Sequence, residues 1–93
     1  MAKFTKVKSL FNQIFPPLQA DLSESKLAEI SEYFEAGEYG LALDTVVDIF
    51  LEEERIPTDE VILLVEKLAI AMELPETEYS ERLRTIHWKQ RAA

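Results

Sequence analysis

An all-α fold, a compact bundle of about five short helices, is what this sequence predicts, on three observations. Apolar residues recur at helical spacing through most of the chain. The strict alternation that marks a half-buried strand is almost absent, and the breaks in periodicity fall at proline, glycine or capping residues.

Phe4, Val7, Leu10 or Phe11, and Ile14 recur three or four residues apart and predict a first helix over 3–14. Pro16-Pro17 should stop it, because proline has no N–H to donate and its ring crowds the preceding turn. Two residues compete to cap a second helix over 23–36. Asp21 stands three positions before Glu24 in capping-box spacing, and Ser23 is the rival. Leu27, Ile30 and Phe34 form the inward stripe, and Gly37 sits where the last turn needs a left-handed residue.

A third helix over 39–54 places Tyr39, Leu43, Val46, Val47 and Phe50 on one face, with Asp44, Asp48 and Glu52 opposite, beside Thr45. Gly40 falls in its first turn, where glycine costs about 1 kcal/mol relative to alanine. The expectation is therefore a packing notch under a closely crossing neighbour. Leu41 projects with the acids. Either the helix is central and neighbours cover Leu41, which is the favoured expectation, or Leu41 is an apolar contact within an acidic surface.

Pro57-Thr58 opens a fourth helix over 58–73, with Val61, Leu64, Val65, Leu68 and Met72 inward. Leu63 and Ile70, seven residues apart, face outward and pose the same choice as Leu41. Pro75 suits the first turn of a fifth helix over 76–88, in which Tyr79, Leu83 and Ile86 pack inward and Trp88 lies near the end.

The 93 residues, 47% apolar and 30% charged, fit one helical domain over 1–93 with a modest core. There is no cysteine, so neither a disulfide framework nor a thiolate metal site can form. The opening MAKFTKVKSLFNQIF has no apolar run of signal-peptide length, and nothing later approaches a membrane span. A cytoplasmic protein, without a membrane partner, is expected.

Charge is segregated along the chain. All 18 acids lie between Asp21 and Glu81, where Lys26, Arg55 and Lys67 alone oppose them. Lys3, Lys6 and Lys8 lie before this acidic centre, and Arg82, Arg84, Lys89 and Arg91 after it. Such a centre repels nucleic acid and attracts a basic protein surface, although acidic domains are also common for reasons of solubility alone.

The parts of an active site are missing. His87 is the lone histidine and has no cysteine partner, so it reads as a surface residue of the last helix. Glu52-Glu53-Glu54 diverge around a helix axis, with no calcium-loop spacing after them. No glycine-rich phosphate loop occurs, and Asp21-Leu22-Ser23 lacks the Asp-Ser-Leu order of acidic carrier domains. No catalytic residue, cofactor or metal is expected, and the chain does not read as an enzyme.

The segment Tyr33-Phe34-Glu35-Ala36-Gly37-Glu38-Tyr39-Gly40-Leu41-Ala42-Leu43-Asp44, continuing through Val47-Asp48 to Ile56-Pro57 and a following helix, resembles the MafI family of immunity proteins. The resemblance runs roughly from Ala28 to Leu83. It implies a small, cytoplasmic, non-enzymatic bacterial protein that neutralises a polymorphic toxin of the contact-dependent growth inhibition type. Many such toxins are nucleases with basic clefts, so the resemblance and the charge together point to stoichiometric occlusion by Glu35, Glu38, Asp44, Asp48 and Glu52. The expected partner is a toxin domain with a basic surface, bound by a chain that is monomeric when free. The alternative is an acidic helical adaptor or chaperone-like binding protein of a secretion or regulatory system.

Overall fold

The computed structural model describes residues 2–75, 78–79 and 81–85. Four helices follow one another, α1 (Ala2–Asp21), α2 (Glu24–Glu35), α3 (Tyr39–Glu53) and α4 (Asp59–Ala71). The helical residues 78–79 and 81–85 form a fifth, α5, and no strand occurs among the described residues. The all-α bundle predicted from periodicity is the fold observed. Expectations placed on Ile86, His87, Trp88 and the outer limits of the fifth helix lie outside the described residues.

The first correction concerns Pro16-Pro17, which lie inside α1 rather than after it. The missing N–H groups free the carbonyls of Asn12 and Gln13, and both residues are exposed, so water can satisfy them. Beyond the prolines, the stripe begun by Val7, Phe11 and Ile14 continues through Leu18 and Leu22, all buried. Burying each leucine contributes about 1.5–3 kcal/mol. That is comparable with the cost of about 3 kcal/mol for an interior proline, and hydration of the freed carbonyls lowers the cost further.

The cap of α2 is Ser23, whose Oγ accepts from the Lys26 N–H at 3.4 Å. Asp21 instead ends α1, with its Oδ2 buried and without a hydrogen-bond partner. Thr58 caps α4, accepting from the Val61 N–H at 3.2 Å, and Asp59 and Glu60 in the first turn complement the positive end of the helix dipole.

Three helices close in the same way. At the end of α2, the Glu38 N–H bonds to the Tyr33 carbonyl and the Gly37 N–H to that of Phe34, the paired bonds of a Schellman motif. Gly37 supplies the left-handed residue at φ 79°. The same pairs recur after α3, from Arg55 to Phe50 and Glu54 to Leu51, and after α4, from Leu74 to Ala69 and Glu73 to Ile70. There the left-handed residues are Glu54 at φ 52° and Glu73 at φ 59°, positions that disfavour any side chain.

Packing is pairwise, with α1 chiefly on α4 and α2 chiefly on α3. Phe11, Ile14 and Leu18 of α1 and Val61, Val65 and Leu68 of α4 belong to one core that also takes in Ile30, Leu43, Val47 and Phe50. An aromatic cluster crosses between the pairs. Phe11 has its ring centre 5.1 Å from that of Phe34 and 6.1 Å from that of Tyr39, and Phe15 lies 5.9 Å from Phe34.

The second correction concerns Gly40. A Cβ placed there meets no atom within 4 Å, so it is not a packing notch. The small residue that α3 buries completely is Ala42, two positions on. Gly40→Ala should therefore stabilise the protein, by about 0.5–1 kcal/mol. Glu54→Gly should relieve its left-handed strain and raise stability by about 1 kcal/mol, a rise of roughly 4–8 °C in Tm for a domain of this size. Thermal and urea melts check both, and a fall in Tm for Gly40→Ala would restore the notch.

Candidate functional site

The acidic face of α3 is partly covered by the chain itself. The Tyr79 hydroxyl donates to Asp44 Oδ1 at 2.6 Å. One turn along, Arg82 Nη2 donates to Asp48 Oδ1, also at 2.6 Å. The two contacts advance together along both helices, so α5 runs beside α3 in the same direction. On its other flank, Arg84 Nη2 reaches Glu66 Oε1 of α4 at 2.9 Å. Between these polar contacts Leu83 is fully buried. Thus α5 straddles α3 and α4, with one apolar anchor and three carboxylate contacts among its described residues.

Helix α5 therefore divides the five predicted site acids into two groups. Asp44 and Asp48 are structural partners of α5, Asp44 half-buried and Asp48 exposed. Glu35, Glu38 and Glu52 are exposed and take part in no ion pair among the described residues. Glu35 ends α2, Glu38 opens α3 without a side-chain capping bond, and Glu52 lies in the last turn of α3. Other exposed acids without an ion pair among the described residues are Glu24, Glu29 and Glu32 on α2, Glu54 after α3, Asp59 and Glu60 at the start of α4, and Glu78 and Glu81 on α5.

Leu41 is 48% exposed, so the favoured expectation that neighbours cover it is not met. The described contacts of α5 begin at Asp44, one turn downstream, and leave the first turn of α3 open. Leu41 thus lies as an apolar residue between Glu38 and Asp44, while Thr45 turns its hydroxyl back to the Leu41 carbonyl at 2.7 Å.

Tyr79, Arg82 and Arg84 are the residues that the sequence reading did not place here. Their partners lie 35, 34 and 18 positions away, far beyond the reach of helical periodicity. The one available sign was that Tyr79 and Arg82, three residues apart, share a helix face, as do Asp44 and Asp48 at four.

Basic residues gather elsewhere. A shallow groove of about 360 Å³ between α1 and α4 is lined by Lys6, Leu10, Gln13, Lys67 and Ile70. Among the described residues no group of three His, Cys, Asp or Glu side chains is arranged to hold a metal ion, and no helix is long and apolar enough to cross a membrane.

Burial pushes the Tyr79 hydroxyl up from 10.0 to about 12, reinforced by its hydrogen bond to Asp44 and by the Asp44 charge. Because the folded value lies above the unfolded one, the neutral phenol is the form that the fold favours. Its contribution is complete below pH 10.0 and is lost as pH rises towards about 12. Tyr79→Phe should lower stability at pH 7 by about 1 kcal/mol, with Asp44 left to water, and should flatten the alkaline loss relative to the parent. The difference between their melts across that pH range checks both effects, and identical curves would remove the contact from the account.

No protein-family model matches this chain, and no curated protein or solved structure matches it.

Proposed function

We propose that the protein is a bacterial immunity protein that binds a cognate toxin domain and occludes its basic active-site surface, without catalysis and without a cofactor. The observation that carries this reading is the distribution of unpaired charge. Arg82 and Arg84 neutralise Asp48 and Glu66 through contacts within the bundle, whereas the acids of α2 and of the α2–α3 corner have no such partner among the described residues. Glu29, Glu32, Glu35 and Glu38 thus present a negative surface on rigid helices, with exposed Leu41 beside it as an apolar anchor. A nuclease that grips a polyanion through Lys and Arg offers the complementary surface. The resemblance of Tyr33–Asp44 and the residues after it to the MafI immunity proteins supports the same reading, and a cytoplasmic location follows from it.

The mechanism is electrostatic capture followed by local desolvation. Long-range attraction between the α2–α3 corner and the toxin's basic cleft raises the encounter rate. Burial of Leu41 and the alkyl stems of the glutamates then slows escape. Asp44 and Asp48 act indirectly, by holding α5 in place, so their reversal should disturb the fold as well as the field.

Co-expression with the open reading frame directly upstream should give growth rescue and a co-purifying complex. Combined Glu35→Lys, Glu38→Lys and Glu52→Lys should leave the melt nearly unchanged and slow association by about tenfold or more at low salt. The parent's association rate should fall as salt rises, because screening shortens the field to about 8 Å at physiological ionic strength. A salt-independent rate, with the triple variant still protecting cells, would overturn occlusion by charge. Binding to the product of a secretion or regulatory gene, without growth protection, would favour the adaptor reading.

A further inference from the structure

A different face, the outer ridge of α4, carries an inference of its own. Leu63 and Ile70 are 51% and 57% exposed there, one heptad apart and therefore on one line of the helix. Glu60 and Lys67 are exposed on the same ridge, one turn before and one turn after Leu63, and neither joins an ion pair among the described residues. Among the described residues the flanking elements leave the ridge open: α1 borders it across the groove that Lys67 and Ile70 share with Lys6, Leu10 and Gln13, and α5 reaches α4 at Glu66. Ile56, 46% exposed, lies just before the N-terminal end of the helix.

The order along the ridge is apolar, acidic, apolar, basic, apolar, at 56, 60, 63, 67 and 70. Read backwards, the apolar positions coincide and the two charges exchange. Along this flank the ridge is therefore complementary to itself when antiparallel, and on the other flank Asp59 faces Glu66 of the second copy, a carboxylate already held by Arg84. When a second α4 is antiparallel and crosses at Leu63, Glu60 of each copy meets Lys67 of the other about 5 Å from the crossing, and Ile70 reaches the end of the helix where Ile56 lies. A parallel copy would set glutamate on glutamate and lysine on lysine.

We infer that the outer face of α4 is a self-association surface, on which a second copy of this chain seats its own α4 antiparallel about a two-fold axis at Leu63. The contact is small. One exposed helix ridge buries far less than the roughly 1,200–2,000 Å² of a stable interface, and the net charge of -8 on each copy opposes approach. Association is accordingly reversible, with a dissociation constant on the order of 100 µM.

Sedimentation velocity on the full chain, from about 5 µM to 1 mM, should show a monomer–dimer equilibrium in that range. By symmetry a single reversal acts on both ion pairs, so Glu60→Lys alone and Lys67→Glu alone should each raise the dissociation constant by about tenfold or more. An equimolar mixture of the two variants should recover association, since both pairs are restored between unlike copies. Because the chain has no cysteine, Leu63→Cys should give a disulfide-linked dimer on mild oxidation, and Glu29→Cys on α2 should not. Each variant should keep the helical circular dichroism spectrum of the parent. A parent that stays monomeric up to 1 mM, or single variants that associate like the parent, or a mixture that fails to recover, would overturn the inference.

Discussion

Two helix pairs have to be held as one body, and the contact on which this depends is the ring of Phe11. α1 lies mainly on α4 and α2 mainly on α3, and the direct packing between the pairs is slight by comparison. Phe11, fully buried on α1, touches the rings of Phe34 on α2 and Tyr39 on α3, with Phe15 completing the cluster. Helices of 12 to 15 residues, such as α2, α3 and α4, are marginal in isolation, so such long-range apolar contacts, rather than propensity, decide whether they persist. The cluster joins the pairs near the first turn of α3, and α5 joins them again further along, through Asp44, Asp48 and Glu66.

This arrangement sorts the charges of a strongly acidic chain. An exposed ion pair contributes about 0.2–1 kcal/mol, so Arg82–Asp48 and Arg84–Glu66 add little to stability beside the burial of Leu83. Their larger effect is on the field: they quench charge on the flanks of α3 and α4, while the acids of α2 and the α2–α3 corner are opposed by no ion pair among the described residues. The short bond from neutral Tyr79 fixes the direction of the Asp44 carboxylate without bringing a cation to it.

Much of the fold was legible because its causes are local. Four helices, the Gly37 closure, the helix start at Pro57-Thr58 and the outward aspect of Leu63 and Ile70 all follow from spacing and residue chemistry. The end of α1 was misread because the proline rule and the apolar period disagree at Pro16-Pro17. Val7, Phe11, Ile14, Leu18 and Leu22 carry the period across the break, and tertiary burial outweighs the local penalty. Gly40 and Leu41 failed for another reason, since the space beside a residue depends on where other elements pass, and one sequence does not record it. The candidate acids were legible as a charged face, but their division into tethered and free members was not. That division rests on Tyr79 and Arg82 arriving from 35 and 34 positions away.

The closures of α3 and α4 bear on how this protein could change. Two of its carboxylates, Glu54 and Glu73, occupy backbone positions where glycine is the conformationally favoured residue. Each therefore couples charge to strain in opposite directions: a substitution that relaxes the backbone also weakens the negative field, and one that keeps the field keeps the strain. A variant library sorted for thermal resistance alone would drift towards a less acidic molecule, weakening its field as it gained melting temperature. Stability and negative charge are in this sense competing optima, and the competition is located at the two helix ends rather than in the core.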